Sequence, residues 1–431
     1  MLHALITQSN KCTTFPTLLA RGRRGLTATP QRVLKTPSAV LAALKEELRV
    51  FTGLKKEPLE ELKLPRPVAV ADGKALINDI RYLGSYDFID KDTIAVPGSP
   101  RVWRPPATPF FVGPDSRNLA FADNDYRSHS PMLDSIFSAI DVVGTPVSWP
   151  TIDFVTNRRV LRLLYHWLDG SKTDRYDFRL DMEVVGEGTI LFYESGRRYS
   201  YNELHPGRGT GFELKTTEAA PLGGWQSMGH HRIVQYTFGG LNMIVRSKTD
   251  AFVDSSPASP TKRRRRGKPE DPLYRGAPSI IRTGRYVPQV AVVEIKSNKG
   301  KMVAGVPLKT WPSYKWTRIA PQLLLSGTQR LHTGIHIDGY FSSVEELELD
   351  ERTILEKQPQ AAVTLRRLAR LLGLLLEKAR AQNVPQPYNG MRRPGLSVVC
   401  LSGKLLLYQR DNYRSWLRAP DSEARFERLE A

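Results

Sequence analysis

Glu294 and Lys296 stand two residues apart at the polar end of an apolar run, VAVVEIKSNKGK, Val290 to Lys301. Four apolar residues followed by these charges predict a buried strand that carries both groups on one face, about 6.5 Å apart at the strand rise of roughly 3.3 Å per residue. A carboxylate beside an ammonium suits phosphodiester hydrolysis. The acid holds a divalent cation, and the compact cation positions water or neutralises charge on phosphorus. The bland reading is a strand end with two solvated charges, and E-x-K alone does not separate the two. A second copy, Glu213-Leu214-Lys215 in GFELKTTEA, shows how readily the spacing arises.

Other residue patterns point to less. His332 and His336 are four apart, but TGIHIDG reads as a strand, where that spacing is roughly 13 Å and suits core or edge histidines better than a metal pair. His230 and His231 are adjacent and face opposite ways in a strand. There is no G-x-x-x-x-G-K-[ST] phosphate loop, and no adjacent aspartates for a D-D-x-x-D site. Trp103 in VWRPP and Tyr126 in NDYR offer stacking surfaces for bases, with core or turn packing as the default.

The elements that must position Glu294 and Lys296 are legible in outline. PMLDSIFSAIDVV, Pro131 to Val143, has helical apolar spacing. TIDFVTN predicts a short strand ending at Asn157, which caps the helix RRVLRLLYHWL. RYDFRLDMEVV and TILFYES predict a hairpin turning at GEG, and RIVQYTFGGLNMIVRSKTDAFV a second one turning at Gly239 and Gly240. The tail holds a leucine-striped helix, Val363 to Arg380, whose arginines flank a core face, and a last hairpin around Ser402 and Gly403. Interspersed helices and strands without a repeat predict one mixed α/β domain of about residues 75–420. A helix and linker, 38–74, precede it; a polar, Pro-rich, basic insertion without regular structure, 254–285, interrupts it; and 421–431 form a tail.

The chain has 431 residues, 40% of them hydrophobic, and a net charge of +19. No apolar run approaches the roughly 18 residues of a membrane span. Two cysteines, Cys12 and Cys400, exclude a disulfide framework and a cysteine-type zinc site. The charge favours a polyanionic partner such as nucleic acid. Residues 1–37 are basic and free of acids, the composition of a mitochondrial presequence, with Arg24 three residues before Thr27 marking a processing site. KRRRRGK, Lys262 to Lys268, reads instead as a nuclear import signal or nucleic-acid patch. The N-terminal run predicts mitochondrial import and the second a nuclear address. Each holds six basic residues, so about +7 of the +19 remains for the rest.

Across roughly residues 75 to 415, the order of segments resembles the DXO-like decapping exonuclease family. TNRR supplies Arg158, GTGFE supplies Glu213, SKTDA supplies Asp250, VEIKS supplies Glu294 and Lys296, and KWTRIAPQLLLSG supplies Gln322. LHTGIHIDGYFSSVEEL is similar to the family's following strand and acidic turn, while YLGSYDF and VPGSPRVW are similar to segments of fungal proteins. The resemblance implies a PD-(D/E)XK-type core with mixed and antiparallel sheets flanked by helices. It implies magnesium or manganese held by Asp250, Glu294 and Glu213, water oriented by Lys296, and phosphates held by Arg158 and Gln322. The implied substrate is the 5′ end of RNA, removed by decapping or by 5′-3′ exonucleolytic hydrolysis, with a partner exonuclease as a further expectation. Lys248 departs from the pattern, standing where the first acid of an E-x-D pair belongs. Two classes of function therefore stay open: a metal-dependent RNA 5′-end hydrolase, and a protein that keeps the fold, binds RNA or a nuclease partner, and does not cleave.

Overall fold

The computed structural model describes residues 50–68, 76–115, 132–170, 177–197, 207–254, 268–274, 276–300, 302–303, 306–307, 313–382, 395–411, 415–417 and 424–427. Along them come strands β1 (Glu60–Leu62), β2 (Ile77–Phe88), β3 (Thr93–Gly98), β4 (Arg101–Trp103) and β5 (Phe110–Phe111), then helix α1 (Met132–Val143). Next are β6 (Phe154–Asn157), α2 (Arg158–Asp169), β7 (Phe178–Val185), β8 (Thr189–Arg197), α3 (Gly209–Thr216) and β9 (Thr217–Glu218). Strands β10 (His230–Phe238), β11 (Leu241–Thr249), β12 (Ala251–Phe252), β13 (Ser279–Gly284) and β14 (Val292–Lys299) follow, with the small ribbon β15 (Met302–Val303) and β16 (Val306–Pro307). Last are α4 (Ser313–Ser326), β17 (Arg330–Ile337), β18 (Tyr340–Glu348), α5 (Glu351–Lys357), α6 (Pro359–Ala381), β19 (Leu396–Leu401) and β20 (Lys404–Gln409).

Two mixed sheets organise these elements. The larger has eleven strands in the order β1-β20-β19-β7-β8-β6-β11-β10-β2-β3-β13, and the smaller has seven in the order β5-β18-β17-β14-β12-β4-β9. Alternation along the strands assigns the faces of the large sheet. Phe154, Met243, Val245, Ile190 and Phe192 join the core cluster built with α2, α4 and α6. Their neighbours Val155, Ile244, Leu191 and Tyr193 join the opposite cluster, with Ile136, Phe137 and Ile140 of α1. The leucine stripe of α6 is core: Leu365, Leu368, Leu372 and Leu375 are buried. No helix among the described residues is long and apolar enough to cross a membrane.

The three expected hairpins form at the expected turns: β7–β8, β10–β11 and β19–β20 pair antiparallel. Asn157 ends β6 and accepts a hydrogen bond from the Val160 amide at 2.9 Å, the cap that starts α2. Three boundaries differ from the sequence reading. Val50 and Leu54 are already buried, and Glu60–Leu62 inside the expected linker pairs with β20, with Leu62 buried there. Ser279–Gly284, inside the expected insertion, is a strand parallel to β3, with Ile280 and Ile281 buried. Phe426, in the expected tail, is fully buried against Phe137 and Trp149. The N-terminal basic segment, Tyr126 and the arginines of KRRRRGK lie outside the described residues.

The chain passes from one sheet to the other at Asp250. Strand β11 ends at Thr249 in the large sheet, β12 begins at Ala251 in the small one, and Asp250 is the link. Strand β12 pairs antiparallel with β14 through Ala251↔Val293, so the register carries Asp250 opposite Glu294.

Candidate active site

Five elements deliver the sequence-predicted residues to one place. Glu294 and Lys296 lie on β14, Asp250 on the crossover, Arg158 at the first turn of α2, Gln322 on α4 and Glu213 on α3. Glu294 is 3% exposed, and its charge is matched from several sides. Arg158 donates to its Oε2 at 2.8 Å, and the Lys296 ammonium contacts Oε1. With its amide nitrogen turned toward Glu294, Gln322 donates to Oε1 at 2.8 Å and accepts from Arg162 at 3.1 Å. A buried charge is tolerable only when so surrounded. This is why an apolar strand ends in an acid and a lysine: the two form one buried ion pair, reinforced by Arg158.

Asp250 accepts from the Ile295 amide at 3.0 Å, and its Oδ2 is 3.8 Å from the Lys296 ammonium. One ammonium therefore faces both carboxylates. Burial, and then the neighbouring charge of Glu294, push the pKa of Asp250 above the usual carboxylate range, against the pull of Lys296 and Lys248. Glu294 goes the other way. Burial works to raise it, but Arg158 and Lys296 together hold it well below the ordinary value.

Glu213 and Lys248 form a separate pair, with Nζ 3.7 Å from Oε1. Glu213 was expected as a third metal ligand beside Asp250 and Glu294. Among the described residues, no group of three His, Cys, Asp or Glu side chains is placed to hold a metal ion. The Lys248 ammonium, at 3.7 Å, faces Glu213. Asp250 and Glu294 remain a donor set of hard oxygens in mutual repulsion, the chemistry that a divalent cation relieves.

Two features escaped the sequence reading. Arg162 lies one helical turn after Arg158 on the same face of α2 and touches Gln322; the i, i+4 arginines of RRVLR were its signal. The other is a pocket of about 420 Å³ beside Asp250 and Glu213, walled also by Asp87, Arg101, Trp225, Met228 and His230. His230 and His231 do face opposite ways: His230 Nδ1 is 3.1 Å from Asp87, and His231 Nε2 is 2.9 Å from Arg246. Nothing in the spacing of Asp87 and His230, 143 residues apart, announced their meeting. His332 packs on Trp103 at 4.5 Å, and His336 accepts from the Gly339 amide at 3.3 Å, both in strand β17 as expected. Trp103 is buried and donates to Glu346 at 2.7 Å, a core role.

Solved structures of similar fold place this architecture. Rai1 of Candida albicans, in complex with pU5-Mn2+, is 12% identical with a TM-score of 0.52, over 85% of this chain and 99% of that one. Rai1 of Scheffersomyces stipitis is 10% identical with a TM-score of 0.53, over 85% and 97%. Rai1 of S. pombe is 13% identical with a TM-score of 0.50, over 77% and 94%. The fold expected from the DXO-like resemblance is thus the one observed, a mixed α/β fold shared with Rai1 at low sequence identity. No curated protein sequence matches the chain. The model of the family described as "Domain of unknown function (DUF8563)" matches residues 66–385, and the chain belongs to that family.

Proposed function

We propose that the protein is a divalent-metal-dependent phosphodiesterase acting on the 5′ ends of RNA. The observation that carries this reading is the convergence of Asp250, from the crossover between the sheets, and Glu294, from β14, on the one ammonium of Lys296. The similarity in fold to a Rai1 solved with pU5-Mn2+, and to one solved with (3'-NADP)+ and calcium ion, supports RNA-like ligands and a divalent cation. Asp250 and Glu294 would hold that cation, magnesium or manganese, which supplies charge neutralisation at phosphorus and lowers the pKa of water.

The chain's own residues account for the rest. Arg158 and Gln322 fix Glu294 in one orientation, and the planar fork of Arg162 is placed to hold a phosphate beside them. Lys296 bridges the two acids and is the cation positioned to orient water. Glu213, paired with Lys248, belongs to the wall of the site. Incubating the protein with 5′-monophosphate and capped RNAs, with and without Mg²⁺ or Mn²⁺, tests the reading. Release of 5′-end products only with metal is expected, and no product from any of these RNAs would refute it.

The Lys248–Glu213 pair favours a second reading, in which an RNA-binding protein keeps the fold and has lost the chemistry. Under it, the same RNAs bind, stay intact, and bind equally well without metal.

A further inference from the structure

Arg232, on β10, is 2% exposed, and among the described residues no carboxylate pairs with it. Its guanidinium lies 4.4 Å from the centroid of the Tyr82 ring, and its Nε donates to Gln289 Oε1 at 2.6 Å. Its Nη2 has no hydrogen-bond partner among the described residues. A buried cation without a counter-ion lowers stability, and burial pushes the Arg232 pKa down to about 10. The amide of Gln289 shows where this charge is directed. Its oxygen accepts from Arg232, so its nitrogen faces the other way and donates to the Gly327 carbonyl at 2.9 Å and the Ser326 carbonyl at 3.2 Å. These carbonyls lie at the C-terminus of α4, the negative end of the helix, which Gly327 closes at φ +62°.

The clasp joins the elements that carry the acidic site. Arg232 is paired with Ser247 of β11, three residues before Asp250. Gln289 opens the 3₁₀ turn Gln289–Ala291 that leads into β14, five residues before Glu294. One turn back from its clasped end, α4 presents Gln322 to Glu294. That last turn is held on its other side as well: Ser326 donates to the Gln322 carbonyl at 2.7 Å, and Arg158 reaches the Ser326 hydroxyl at 3.4 Å. We infer that Gln289 is a positioning residue: keyed to the large sheet through Arg232, it sets the spacing of Asp250 and Glu294 and holds Gln322 on Glu294. Two carboxylates share one hard cation only at metal–oxygen distances of roughly 2.0 to 2.6 Å. A displacement of β14 or α4 by about 1 Å therefore suffices to lower the rate by up to about a hundredfold. The inference rests on the reading of Asp250 and Glu294 as a cation site.

Gln289→Glu keeps the acceptor for Arg232 and supplies a counter-ion, but turns a carboxylate toward the α4 carbonyls; Gln289→Leu removes both ends of the clasp. Mn²⁺ titration by calorimetry, and initial rates on 5′-end-labelled RNA in Mn²⁺, compare each variant with wild type. Gln289→Glu should keep Tm within about 3 °C of wild type. It should nevertheless bind Mn²⁺ about tenfold or more weakly, against the sign of its added charge, and lose kcat by about tenfold or more with KM within about threefold. A merely structural residue would lower Tm and leave the Mn²⁺ affinity of the folded protein as it was. Unchanged Mn²⁺ affinity in Gln289→Glu overturns the inference, whether or not Gln289→Leu folds. Mn²⁺ affinity that depends on Gln289, in a protein that cleaves no RNA, supports the clasp and overturns the hydrolase. Wild type that binds no Mn²⁺ overturns the cation site, and the side-chain amide resonance of Gln322 in metal-free, ¹⁵N-labelled protein then decides for the clasp. A resonance displaced in Gln289→Glu supports it, and one at its wild-type position overturns it.

Discussion

Lys248→Glu turns the departure from the DXO-like pattern into an experiment. The ammonium lies 3.7 Å from Glu213, with side chains 24% and 17% exposed. At an effective dielectric near 20, unit charges at about 4 Å interact by roughly 4 kcal/mol. Partial exposure discounts this to about 1–2 kcal/mol. Replacing attraction by repulsion should therefore destabilise the metal-free protein by about 2–3 kcal/mol, lowering Tm by several degrees. The same change adds a carboxylate and removes a cation beside Asp250, so Mn²⁺ should bind at least tenfold tighter, about 1.4 kcal/mol, and recover about half of the lost Tm. Calorimetric titration with MnCl₂ of wild type, Lys248→Met and Lys248→Glu gives the comparison, with the methionine intermediate. Equal or weaker Mn²⁺ binding in both variants would refute the electrostatic reasoning and the placement of the cation.

Three further outcomes follow from the same geometry. Arg158→Met leaves Glu294 buried with one cation fewer and should cost about 3 kcal/mol in urea unfolding, whereas Arg158→Met/Glu294→Leu should restore most of it; equal losses in the single and double variants would show no coupling. Because Glu294 is held below its unfolded value near 4.3, the network's contribution is complete above that pH and is lost as pH falls through the lower folded value; unfolding series from pH 7 to 3 should therefore be less steep in Glu294→Gln than in wild type. Gly98 has φ +68°, and a Cβ there would strike the Asp87 carboxylate, so Gly98→Ala should lower Tm and also displace His230; an unchanged Tm would show that Asp87 can move freely.

How much of this was readable from residue order depends on distance along the chain. The strand VAVVEIKS, the cap at Asn157 and the Gly239-Gly240 turn are local patterns, and each forms where its pattern stands. Arg158 and Gln322 were named through family resemblance and Glu294 also through its strand, and the three do meet. The meaning of Lys248 was not legible: its side chain pairs with a carboxylate from α3, 35 residues earlier, and only the fold decides whether a lysine fills a metal's place or a neighbour's charge. Short β1 and the buried Phe426 were invisible for a related reason, since two or three residues carry no periodicity and their order comes from the sheet edge and core they cover.

The central claim is that Asp250 and Glu294 grip one divalent cation at a phosphate. Its most direct measurement is the rate of product release from 5′-end-labelled RNA in Mn²⁺, in wild type, Glu294→Gln and Asp250→Asn side by side. Cleavage by wild type should fall by about a hundredfold or more in either variant and disappear with a chelator. Cleavage that persists in both variants, or that needs no metal, would contradict it.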